Sequence, residues 1–181
     1  MTHLVELEDS DLADQLSILP DIFEYWERVK KFDPDACALA DRHYSRRTPG
    51  SNQFMPPGQT IVLLGKNDYP AVFGWCRPHP DSGIKQMNNL DGWTCTIFRN
   101  EGAIKSSLLI LDAEKAIPFY GCGKDGLMTY VWDTKVASSN PGYCFKRAGY
   151  KAHGRSADGK KTLLMKDYIE CKEEGRSDGR V

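Results

Sequence analysis

Hydrophobic positions near the start of the chain return every three or four residues: Leu12, Leu16 and Leu19, then Ile22, Trp26 and Val29, with acidic residues between them. That period predicts two amphipathic helices over 7–31. They are interrupted at Leu19-Pro20, because proline lacks a donor and steers its predecessor out of the helical region. Asp33-Pro34 supplies an N-cap followed by proline at the first helical position, so 35–42 reads as a short helix. Residues 48–58, with two glycines and three prolines, form a loop. Gln59–Gly65 and 71–76 are strand-like on either side of a turn-rich break, an antiparallel hairpin, and 93–98 is a further strand after the polar loop 78–91. Helical spacing returns with Ile104, Leu108, Leu111 and Leu109, Ala113, Ala116, up to Pro118. The strand-like 126–132 completes a strand–helix–strand unit, whose strands should be parallel. A short helix over 140–149, ended by Gly149, leads to a closing hairpin of 150–156 and 161–169 around Asp158-Gly159. The expected class is α+β, a mixed β-sheet flanked by helices. The expected organisation is an acidic helical segment at 1–35, a main domain at 36–169 and a polar tail at 170–181.

Composition narrows the function classes. A length of 181 residues suits one domain with a single core. No apolar run approaches the ~18 residues that cross a bilayer, and Met1-Thr2-His3-Leu4-Val5-Glu6 lacks the basic start and apolar stretch of a secretory signal. Six cysteines, at 37, 76, 95, 122, 144 and 171, include no Cys-x-x-Cys pair, which argues against a zinc ribbon and predicts free thiols in a reducing compartment. The expectation is a soluble cytoplasmic protein without a membrane partner. The net charge of −1 hides an asymmetry: eleven acidic and three basic residues up to Asp41, then fourteen acidic against twenty-one basic. A polyanion would be repelled by the first portion and attracted by the second.

The joint from strand to helix at 99–107 carries the first chemical signal. A helix N-terminus presents unpaired N–H groups and the positive end of its dipole, and Arg99, Lys105, Ser106 and Ser107 add donors, so the joint is a candidate phosphate site. Arg99-x-x-Gly102 opening a helix after a strand, a second strand, then Asn140 to Tyr150 and a final hairpin, resembles the GNAT acyltransferase fold. In that family the turn holds the pyrophosphate of acyl-CoA. The chain departs from the pattern at Ile104, which stands where the family has a second small residue. It departs again at Phe145, where the family's last helix often carries a tyrosine that serves as general acid.

His43-Tyr44-Ser45-Arg46, the Phe98-Arg99-Asn100-Glu101 joint with its serines, and Tyr130-Val131-Trp132-Asp133 followed by Asn140-Pro141-Gly142-Tyr143-Cys144-Phe145-Lys146 resemble the Mom family over roughly residues 36–165. These are phage DNA-modification proteins, a divergent GNAT branch that converts adenine in duplex DNA to N6-carbamoylmethyladenine and so protects it from restriction. The resemblance implies a bacterial host cell, double-stranded DNA as partner and catalytic roles for His43, Tyr44, Asp133 and Tyr143. It implies donor-binding roles for Arg99, Gly102, Ser106 and Ser107, toward an acyl-CoA-like or aminoacyl donor of unknown identity. His43, Tyr44 and Asp133 are also expected as N and O ligands for a transition-metal ion such as iron or zinc. Arg46, Arg47, Lys146, Arg147 and Lys151, interleaved with aromatics, suit DNA contact. Two other readings remain open: a conventional acyltransferase using acyl-CoA or aminoacyl-tRNA, and a nucleic-acid-binding module without catalysis.

Overall fold

The computed structural model describes residues 22–79, 83 and 87–168. Among them, seven strands form one sheet in the order β1-β2-β3-β4-β5-β7-β6. The strands are β1 Trp26–Val29, β2 Gln59–Gly65, β3 Ala71–Arg77, β4 Trp93–Asn100, β5 Leu127–Val131, β6 Lys151–Arg155 and β7 Thr162–Lys166. β4 and β5 pair in parallel, as a strand–helix–strand unit requires, and every other neighbouring pair is antiparallel. The α+β class with a mixed sheet thus stands, and no helix among the described residues is long and apolar enough to cross a membrane.

β2, β3 and β5 bury most of both faces, which is why their sequences read as near-continuous apolar runs, whereas β4 alternates between buried and half-buried positions. Ile61, Leu63, Phe73 and Trp75 face helix α2, Ser106–Glu114, in the larger core. Val62, Val72, Cys76 and Ile97 face helix α1, Pro34–Asp41, on the other side. α1 begins as the sequence predicts, with the Asp33 carboxylate accepting from the N–H groups of Asp35 and Ala36 and proline at the first position. Two sheet tryptophans fix α2: the indole N–H of Trp26 donates to Leu109 O (2.8 Å) and that of Trp75 to Ala113 O (3.0 Å).

Two expectations are corrected. The helix expected across Ile22, Trp26 and Val29 is instead strand β1, hydrogen-bonded to β2 with Trp26 opposite Gly65 and Val29 opposite Val62. A step of four residues is even, so Ile22 and Trp26 fit one face of a strand as well as one face of a helix. The Asp112 carboxylate, buried in α2, accepts from the N–H groups of Glu24 and Tyr25 and holds the incoming chain extended. The first expected helix, up to Leu19, and the polar tail lie outside the described residues. The expectation of six free thiols fails at Cys122, which is disulfide-bonded, whereas Cys37, Cys76, Cys95 and Cys144 are free.

Three features shape the region between β4 and β5. In the β3–β4 pairing, Gly74 opposes Ile97 but Trp75 opposes Cys95, so Thr96 is an extra residue that bulges β4. The helix expected over 140–149 is shorter, α3 at Tyr143–Arg147, and enters from Gly142 in the left-handed conformation (φ 73°). A side chain at Gly142 would collide with Leu164, so glycine is required there for both reasons. The closing hairpin places β7 beside β5 and leaves β6 at the edge, with all five of its residues exposed.

Candidate active site

β4 and β5 share three residue pairs, Trp93–Leu127, Thr94–Met128 and Cys95–Thr129. Beyond Cys95 the bulge turns β4 along β3, while β5 follows β7, so the two parallel strands separate at their carboxyl ends. The gap is a cleft of about 270 Å³, at the lower edge of the ~300–1,000 Å³ usual for small-molecule sites. Its walls come from Ile97 and Phe98 of β4, Tyr130 to Trp132 at the end of β5, and Cys144 and Phe145 of α3, and most of this surface is apolar. His43, Tyr44 and Ser45, in the turn after α1, close one side, and Lys161 stands at another.

Of the residues expected to act together, His43 and Tyr44 do meet in this cleft, with ring centroids 4.2 Å apart. Burial, and the Arg99 guanidinium nearby, lower the His43 pKa to about 4, so the ring is neutral at physiological pH. Burial pushes the Tyr44 phenol up, against the opposing effect of a hydrogen bond from the Trp132 main chain. Asp133 lies two residues beyond β5 and is not part of the cleft wall: its carboxylate accepts from the Thr162 hydroxyl (2.9 Å) and pairs with Arg155 (3.0 Å). Tyr143, at the start of α3, is 56% exposed and is likewise no part of the wall.

These placements do not fit a metal held by His43, Tyr44 and Asp133. His43 Nδ1 already accepts from Ser45, and Asp133 is committed to Thr162 and Arg155. Among the described residues no three His, Cys, Asp or Glu side chains gather as a metal-holding group.

None of residues 99–107 lines the cleft, although Arg99 comes near His43, and the turn is filled by the chain's own side chains. The Gly102 N–H donates to Asn100 Oδ1 (3.0 Å), the Ile104 N–H donates to the Tyr69 hydroxyl (2.8 Å), and that hydroxyl donates to Asn100 Oδ1 (2.9 Å). A Cβ at Gly102 would meet the Tyr69 ring, so this glycine makes room for a phenol. Asn100 Nδ2 bonds Ile104 O and the Ser106 hydroxyl, and Ser107 is half-buried in the first turn of α2. The Arg99 guanidinium donates to Glu101 and to Arg42 O, and Arg42 grips the same carboxylate through two nitrogens (2.7 and 2.9 Å). The pair of guanidinium groups lowers the Glu101 pKa to about 2.

Among the expected DNA contacts, Arg46 is corrected. Its side chain is 7% exposed, pairs with Asp41 (2.6 Å) and donates to Gln53 O and Ser51 O, so it ties the loop after α1 to the helix. Arg47, Arg147 and Lys151 are exposed, and exposed Lys146 donates to Asn140 Oδ1. Sequence reasoning passed over Tyr69, Ser45 and Trp132. Tyr69 sits in a turn-rich stretch, and Ser45 and Trp132 stand beside residues of stronger chemical character in the same short motifs. Trp132 is half-buried in the cleft wall, with Lys135 Nζ 3.9 Å and Lys161 Nζ 5.4 Å from its ring centroid. No protein-family model, curated protein or solved structure matches the chain.

Proposed function

We propose that the protein is a GNAT-like transferase acting on the exocyclic amino group of adenine in DNA, of the kind that makes N6-carbamoylmethyladenine and protects phage DNA from restriction. The observation that carries this reading is the His43–Tyr44 pair set in an apolar cleft where two parallel strands part at their carboxyl ends, the place where such sheets bind ligands. An adenine amino group is hidden in the stacked duplex, so the base must be extruded to reach a pocket. The cleft's aromatic walls and modest volume suit one flat ring, which could rest against Tyr44 or Phe98. Exposed Arg47, Lys146, Arg147 and Lys151 would meet the phosphates of double-stranded DNA. Tyr69 behind Gly102 weighs against the open pyrophosphate grip of a conventional acyl-CoA enzyme.

Mass spectrometry of nucleosides from DNA of cells making the protein tests this. A modified deoxyadenosine is expected with the wild-type chain and is expected to fall sharply with His43→Ala. Unmodified DNA, with acetyl transfer from acetyl-CoA to a free amine, would replace this reading with the conventional one.

A further inference from the structure

Both donors of Ser45 reach the same ring nitrogen of His43. The Ser45 hydroxyl lies 2.7 Å from Nδ1, and the Ser45 main-chain N–H donates to Nδ1 at 3.2 Å. An amide N–H only donates, so Nδ1 presents a lone pair and carries no proton. A neutral imidazole has one N–H, which is therefore on Nε2. Nε2 has no protein partner among the described residues, and the ring forms part of the cleft wall. The neighbouring Tyr44, whose ring centroid lies 4.2 Å from that of His43, belongs to the same cleft wall, and its neutral hydroxyl has a proton to give.

We propose that His43 Nε2–H and Tyr44 O–H form a pair of neutral hydrogen-bond donors that holds the carbonyl oxygen of the unit being transferred, with Ser45 as the positioning residue that fixes the His43 tautomer. The identity of the bound oxygen rests on the transferase reading; the tautomer does not. Two uncharged donors cost less to desolvate than two charges would, and in an apolar cleft they act strongly on an oxygen that gains negative charge. The nearby Arg99 charge and burial keep the ring from becoming imidazolium, so it is a donor and not the proton acceptor of the reaction. The lone pair a metal would need on Nδ1 is already used.

Nitrogen-15 NMR of the whole protein tests the tautomer directly, with the His43 signals assigned by their loss in His43→Gln. At neutral pH the expected pattern is a neutral ring protonated on Nε2, a drift toward mixed tautomers in Ser45→Ala, and recovery in Ser45→Thr. A ring protonated on Nδ1, or an imidazolium, overturns the proposal. Titration with acetamide as a carbonyl probe should move the His43 Nε2–H resonance in the wild type, and an unmoved resonance overturns the carbonyl assignment. In the nucleoside assay, His43→Gln keeps an amide N–H near the position of Nε2 and should retain some modification. His43→Ala should fall by a factor of about 10²–10³, the usual loss for one such donor. If wild-type DNA carries no modification, the transferase reading fails while the spectra still decide the tautomer.

Discussion

Arg46 shows how a charged residue changes meaning once its partners are known. Sequence alone places it beside two arginines in a basic stretch, and only the fold shows Asp41, Ser51 and Gln53 closing around it. Arg46→Ala leaves Asp41 and two carbonyls short of a donor. It should lower stability by about 1.5–3 kcal/mol, the range for hydrogen bonds to charged groups, with DNA affinity unchanged for the folded fraction. Urea unfolding and a binding titration together check this. Asp133 is similar: its position after a strand was legible, but its engagement by Thr162 and Arg155 depends on a later hairpin that no local pattern reveals. His43 and Tyr44 were readable because their chemistry and their neighbourhood lie in the same short segment. His43 also makes a pH-dependent contribution. Its folded pKa of about 4 lies below the ordinary 6.5, so the unfolded chain takes up the proton first and stability falls as the pH drops from 6.5 toward 4. Unfolding curves over this range should flatten in His43→Gln.

Elements were most legible where one period or one cap dominated. Asp33-Pro34 starts α1, the hairpin of β2 and β3 follows from two apolar runs around a turn-rich break, and the parallel β4–β5 pair follows from the helix that connects the two strands. β1 was not legible, because its even spacing satisfies two periods and only pairing with β2 decides between them. The turn before α2 was misleading for another reason: whether its N–H groups await a ligand depends on Tyr69, which arrives from the β2–β3 connection. Tyr69→Phe removes the acceptor of the Ile104 N–H and should cost about 1–2 kcal/mol, without gain of CoA binding by calorimetry, since the ring still backs Gly102. At the same joint Arg42 and Arg99 share Glu101 and so tie the end of α1 to the end of β4. Glu101 has a folded pKa of about 2 against an ordinary 4.5, so its contribution is whole above pH 4.5 and is lost as the pH falls toward 2. Glu101→Gln should remove that acid-side loss and leave the His43 window in place.

For the whole molecule the charge asymmetry has a geometric counterpart. The exposed edge strand β6, together with Lys146 and Arg147 of α3, gathers basic side chains on the side of the sheet that follows β5. Reversing Lys146 and Arg147 should weaken DNA binding for many sequences alike and lower the slope of log affinity against log salt by roughly 0.9 for each phosphate no longer neutralised. An unchanged slope would place the DNA on another face. Sequence could supply the sign of this portion but not its face, since β6 and β7 lie in the sheet in reverse of their chain order.

The four tryptophans divide unevenly: Trp26, Trp75 and Trp93 are wholly buried, and Trp132 alone reaches the cleft, between two ammonium groups. The molecule therefore carries a built-in optical gauge of its own site. Quenching of its native fluorescence by iodide should act on one indole in four, with the two lysines drawing the anion toward it. Any base or acyl unit that enters the cleft should shield that indole while leaving the other three unaltered, so occupancy can be read from light emission before any substrate is known.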